Sequence, residues 1–219
     1  IISGLVGSEM CIRDRYSVLQ STSRIDDLVK AAANDKMPAV ALTDHANLMG
    51  SFHFIKAIKK YNSDLPQGNM SLKPILGCEF YVCEDHQDRS RRDNGYQIVF
   101  IAKNKKGYEN LSKMSSIAYT QGFYYVPRID KKIVEQYKSD LMVLTGNLYG
   151  EVPSKILNLG DNQAEEALQW WSSQFGEDLY IELMRHHPED EKRVTQVLIQ
   201  FAQKLGLKIL ATKNSYYTT

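Results

Sequence analysis

A short apolar run, Val40, Ala41 and Leu42, ends in Thr43-Asp44-His45, and a second, Ile75 and Leu76, ends in Gly77-Cys78-Glu79. Imidazole, carboxylate and thiolate are the donors that bind divalent metals. Both sets stand where an apolar strand gives way to a loop, the usual place for reactive groups in α/β folds. The chemistry on offer is activation of water by a bound metal. The same residues have plainer readings. An Asp-His pair after a strand also makes a capped turn, and Glu79 can equally pair with a lysine. His53 falls within a helical pattern and His86 in a polar stretch, and neither has an evident partner. His186-His187, ahead of Glu189, Asp190 and Glu191, reads as a polar loop before a helix whose acidic first turn complements the dipole.

The elements that must carry these residues follow from periodicity. Ser23-Arg24-Ile25-Asp26 has the capping-box form, with Leu28, Val29 and Ala32 at helical spacing behind it. Residues 38–43 read as a strand and 48–61 as a helix with Phe52, Ile55 and Ile58 on one face. A strand is expected at 75–82, and then 84–95 forms a polar excursion without one apolar residue. Strand 96–102, helix 106–119 with Leu111, Met114 and Ile117 inward, helix 129–137 and strand 141–144 follow. Helices are expected at 152–159 and at 162–175, the second with Asp161 as N-cap and Gly176 as its stop. Trp170-Trp171 reads as a core residue and a partly exposed neighbour. Strand 179–183, helix 189–205 ending at Gly206, and strand 208–212 complete the chain. Strands alternating with helices argue for parallel βα units, closed as a barrel of about seven strands or left as an open doubly wound sheet.

Composition narrows the classes. The chain has 219 residues, net charge +1, 43% hydrophobic and 24% charged residues, an ordinary globular balance with no overall basic footprint for nucleic acid. Three cysteines without zinc-knuckle spacing point to a reducing compartment, and no apolar run approaches a membrane span. A cytoplasmic location is expected. Residues 1–15 contain VGSEMCIRDR, which resembles a translated sequencing-adaptor string. That segment is expected to be non-native, with residues 16–219 as one domain, and the chain reads as a fragment at both ends.

Taken together, TDHANLMG at 43–50, PILGCEFYV at 74–82, AKNKKGYENL at 102–111 and GFYYVPRID at 122–130 resemble one family. It is the PHP (polymerase and histidinol phosphatase) domain, in the version at the N-terminus of the bacterial replicative DNA polymerase III α subunit. The resemblance implies a mixed α/β fold, the PHP-type distorted (βα)7 barrel, with its first strand missing or replaced here. It implies divalent metals, zinc or manganese, held at strand C-termini for phosphoester hydrolysis. Of the implied metal ligands, His45 and Glu79 are present, with Asp44 as a third ligand or an orienting group. The family's His-x-His before Tyr16-Ser17 is absent, and Gln97, Asn147, Asn214 and Tyr216 stand at positions that other members fill with ligands. The implied site is therefore degenerate, with no catalytic residue and no tightly bound metal expected. The implied role is a scaffold in a DNA-directed DNA polymerase acting in replication. Its implied partners are the rest of the α subunit, a proofreading exonuclease subunit and, through the parent, DNA, without a membrane. The polymerase carboxylates would lie beyond Thr219. A stand-alone PHP metal-dependent phosphoesterase is the alternative.

Overall fold

The apolar runs form one curled sheet in a computed structural model that describes residues 7–8, 24–66, 70–184 and 189–212. Its strands are β1 (Gly7–Ser8), β2 (Ala39–His45), β3 (Lys73–Cys83), β4 (Tyr96–Ala102), β5 (Arg128–Asp130), β6 (Leu141–Leu144), β7 (Leu179–Leu183) and β8 (Lys208–Ala211). The helices are α1 (Ile25–Asn34), α2 (Ser51–Ser63), α3 (Lys105–Thr120), α4 (Lys131–Tyr137), α5 (Glu151–Asn158), α6 (Asp161–Phe175) and α7 (Glu189–Leu205). The sheet order is β1-β2-β3-β4-β6-β7-β8, and β5 pairs with β3. Where β2 ends opposite Glu79, β5 pairs with the next stretch of β3, from Tyr81 to Cys83.

The pairing departs from the expected parallel units at one strand. β4 runs antiparallel to both β3 and β6, while the remaining pairs are parallel. The reason lies in the polar stretch 84–95. It contains no helix, so β3 and β4 join as a long hairpin rather than through a crossover. The two-residue β1 takes the first-strand place beside Ala41 and Leu42, within the segment expected to be non-native.

Helices cover one face of the sheet. Phe80, Ile98, Phe100 and Ile181 pack there against Leu111, Met114, Leu168, Trp171, Phe175 and Phe201. A second cluster joins α1 and α2 to β2 through Leu28, Val29, Val40, Leu42, Phe54 and Ile58. On the concave face Val99, Ile101, Leu144 and Leu210 form a small apolar floor with Ile75, Met142 and Tyr180. The architecture is thus a half-barrel with helices outside.

Several local expectations shift. α2 starts at Ser51 rather than 48 and buries Ser51, Phe54 and Ile58, leaving Phe52 72% exposed. Residues 129–137 are not all helix, because Ile129 belongs to β5 and Asp130 caps α4 by accepting from the Ile133 amide at 3.1 Å. The N-cap of α6 is Gly160, with Asp161 its first helical residue. Arg24 stands at the N-cap of α1, and Ser23 of the expected capping box lies outside the described residues. Gly176 does end α6, at φ 52°, a conformation that glycine adopts without strain. Trp171 is buried and Trp170 half-buried, as expected, and the Trp171 indole donates to Glu151 at 2.8 Å. Among the described residues no helix is long and apolar enough to cross a membrane.

Candidate functional site

The concave face opens at the C-terminal end of β2. Here the chain turns sharply after His45, because Ala46 adopts φ 53°, uncommon for a residue with a side chain. The turn is held on three sides. The Ala46 amide donates to the Glu79 carbonyl at 2.7 Å, and Ser115 of α3 donates to the Ala46 carbonyl at 2.7 Å. The Asn47 side chain spans the bend, donating to the His45 carbonyl and accepting from the Met49 amide.

This turn sets His45 against Glu79. The His45 Nδ1 lies 2.7 Å from Glu79 Oε1, and the imidazole stacks on Tyr81 at 6.3 Å. Glu79 is 1% exposed and pairs with the histidine. Register places Asp44 opposite Cys78, so strand alternation sends these two side chains to the other face. Burial pushes Asp44 up to about 7, opposed by the Gly50 amide and by His45. Neither of its carboxylate oxygens has a hydrogen bond of ordinary length among the described residues. Burial also raises the Cys78 thiol well above its ordinary range, helped by Asp44 and Glu79.

The neighbouring strands add amides and one more acid. Gln97 pairs with Tyr81 in register and accepts a bond from Asn147 at 3.3 Å, so two of the degenerate positions meet. Gly146 permits this approach, with φ 81°; a Cβ there would fall 2.4 Å from the Gln97 carbonyl. From β7 comes Glu182, 5% exposed and overlooked in the sequence reading. Its Oε1 accepts from the Thr212 hydroxyl at 2.5 Å and its amide donates to Thr145 at 2.9 Å, while Oε2 has no partner among the described residues. Burial, with the Glu79 charge adding to it, pushes Glu182 up to about 7 against the Thr212 and Gly146 bonds. The available signal was an acid inside the short apolar strand LYIEL. Asn214, Tyr216, His186 and His187 lie outside the described residues.

The donor set decides what this mouth can hold. A catalytic zinc takes about three protein ligands, and a metal cluster needs more. Among the described residues, no three His, Cys, Asp or Glu donors of the mouth lie within 4.8 Å of one another. His45 and Glu79 bind each other, and the Gln97 and Asn147 amides do likewise. Among the described residues, this set does not by itself supply the donors of a multi-metal centre. What they form is a buried acidic set, Glu79 and Glu182, with burial pushing the Glu182 carboxyl up to about 7.

The polar stretch 84–95 is largely exposed, as its composition implied, but it is anchored from below. Arg128, fully buried, donates to the carbonyls of Gly122, Asp93, His86 and Asp88 at 3.2, 2.8, 3.3 and 2.8 Å. His86 is 6% exposed, with its Nδ1 2.6 Å from Asp130 Oδ2, so it does have a partner. Burial alone would raise Asp130, but bonds from His86 and Ile133 outweigh it and hold the carboxyl below its ordinary value. Asp85, His86 and Asp130 lie together, each with one potential ligand atom within 4.8 Å of the other two.

Comparison with known proteins fits this architecture. Relatives include the DNA polymerase III α subunits of Borreliella burgdorferi (34% identical), Aquifex aeolicus (35%) and Thermus aquaticus (37%), over 93–94% of this chain. The match is to their N-terminal region, and the chain spans only 16–18% of their length. Among solved structures, an amidohydrolase from Chromobacterium violaceum superposes with a TM-score of 0.59 at 10% identity, covering 96% of this chain and 87% of that one. A candidate metal-dependent phosphoesterase from Bifidobacterium adolescentis gives 0.57 at 15% identity, covering 91% and 84%. These two likenesses concern the fold alone. The PHP domain profile matches residues 10–186, most of the sequence, and the chain belongs to the PHP domain family.

Proposed function

We propose that this chain is the PHP domain of a bacterial DNA polymerase III α subunit and that it serves there as a scaffold rather than as a phosphoesterase. The observation that carries the reading is identity of 34–37% with such subunits across nearly the whole chain. The depleted donor set of the mouth supports the scaffold role, since His45 and Glu79 pair with each other and Gln97 and Asn147 supply only amides. In this reading residues 16–219 make up the domain and residues 1–15 are non-native. Asp44, His45 and Glu79 are remnants of a metal site, with Gln97, Asn147, Asn214 and Tyr216 at its lost positions. The domain packs on the rest of the α subunit in the cytoplasm, contacts the proofreading exonuclease subunit and meets DNA only through its parent.

The alternative is a stand-alone PHP metal-dependent phosphoesterase. The genomic reading frame around this sequence separates the two. A frame that continues past Thr219 for several times this length, with the carboxylates of a nucleotidyl-transfer site, is the expected result. A stop codon shortly after Thr219 would overturn the proposal.

A further inference from the structure

We propose that the cleft between the 84–95 loop and the starts of α4 and α5 binds a nucleoside phosphate, with cationic side chains on its phosphates and the exposed Tyr125 ring beside its base. The cleft measures about 680 Å³, the size of a small-molecule site. Arg91 and Arg92 of the loop line it, together with Lys131 at the start of α4 and Lys155 of α5. Its lining shares no residue with the mouth formed by His45, Glu79 and Glu182. Three carboxylates face these four cations, and the way each acid is engaged decides what is left for a ligand. Glu151 is buried; its Oε1 accepts from Lys131 at 2.9 Å and from Lys155 at 2.8 Å, and its Oε2 accepts from the Trp171 indole. One negative charge therefore holds two partly exposed ammonium groups, and a positive charge is left over.

The loop acids are engaged differently. Asp93 accepts from the Gly95 amide at 2.8 Å and from the Glu84 amide at 3.2 Å, and so shapes the loop. Glu84 pairs with Arg91, but both side chains are mostly exposed, and such a pair is weak enough for an incoming phosphate to replace. Arg92 makes no ion pair among the described residues, and its Nε donates to the Asn94 side chain at 3.4 Å. A guanidinium fork without a carboxylate, opposite two lysines that share one, suits the paired oxygens of a phosphate. The aromatic part of the site also follows from Arg92, whose guanidinium carbon lies 4.8 Å from the centre of the Tyr125 ring. Tyr125 adopts φ 64°, uncommon for a bulky residue, and is 61% exposed. An exposed ring with a guanidinium against it, at the edge of a cationic cleft, is a stacking surface for a base.

The test titrates the 219-residue chain with ATP, pyrophosphate and a short single-stranded oligonucleotide, following backbone amide signals. ATP should bind more tightly than pyrophosphate or the oligonucleotide, with shifts centred on residues 91–96, 125 and 131. The side chains of Arg91, Arg92 and Tyr125 are exposed, so their variants should fold. Arg91→Gln combined with Arg92→Gln should weaken ATP and pyrophosphate alike, by about tenfold or more. Tyr125→Ala should weaken ATP and leave pyrophosphate unchanged. No ATP binding, unchanged ATP affinity in the folded arginine double variant or in Tyr125→Ala, or equal affinity for ATP and pyrophosphate would overturn the proposal. Tighter binding of the oligonucleotide than of ATP would overturn it in favour of a strand-binding groove.

Discussion

Replacing Arg128 by methionine is expected to destabilise the chain by about 4 kcal/mol. The side chain is fully buried and its guanidinium donates to the carbonyls of Gly122, Asp93, His86 and Asp88. A buried acceptor left without its donor costs about 1–3 kcal/mol, reduced where the freed loop can turn its carbonyls to water. Contact with the Tyr124 ring, 5.4 Å from the guanidinium carbon, is lost as well. Arg128→Lys keeps the charge but cannot reproduce the fork, so it should recover less than half of the loss. Urea denaturation measures both, and amide exchange should speed up throughout 84–95 in the methionine variant. A loss below about 1 kcal/mol would show that the loop is held by something other than this residue.

Glu182→Gln is expected to stabilise the chain by about 2 kcal/mol near pH 8 and hardly at all near pH 5. Burial and the Glu79 charge raise the folded Glu182 carboxyl from the ordinary 4.5 to about 7. Below the ordinary value both folded and unfolded forms hold the proton, and no free-energy difference arises. As pH rises from there towards 7, the unfolded chain releases its proton while the folded one retains it, and stability falls. Above 7 the loss is complete. Glutamine never ionises, and its amide oxygen still accepts from Thr212, so the variant escapes the loss. Asp44, raised in the same way, titrates in both proteins and cancels in the difference. Denaturation at the two pH values checks this. An equal effect at both would place Glu182 in contact with water.

Much of the fold was readable because its strands are short apolar runs: 96–102, 141–144 and 179–183 match β4, β6 and β7 residue for residue. The direction of β4 was less evident, although a helix-free connection in 84–95 already argued for a hairpin. β5 escaped because it has only three residues and leads straight into α4. The GFYYVPRID stretch carried the family resemblance without an apparent purpose. Its purpose here is Arg128, whose partners are backbone carbonyls scattered over two loops and thus invisible to side-chain patterning. At the mouth, His45 and Glu79 were identifiable from their places at strand ends. Glu182 was not, because a lone acid in a strand reads as solvent-facing until the curl of the sheet turns it inward. His86 looked isolated because Asp130, its partner, lies 44 residues away.

We propose that the mouth of this half-barrel carries no phosphoesterase chemistry. It is tested most directly by assaying the purified chain on a generic phosphomonoester, with zinc or manganese supplied in excess. No hydrolysis above that of the metal alone is expected, because among the described residues the mouth offers no three metal donors close to one another. Saturable hydrolysis that disappears in His45→Ala and in Glu79→Gln would contradict it.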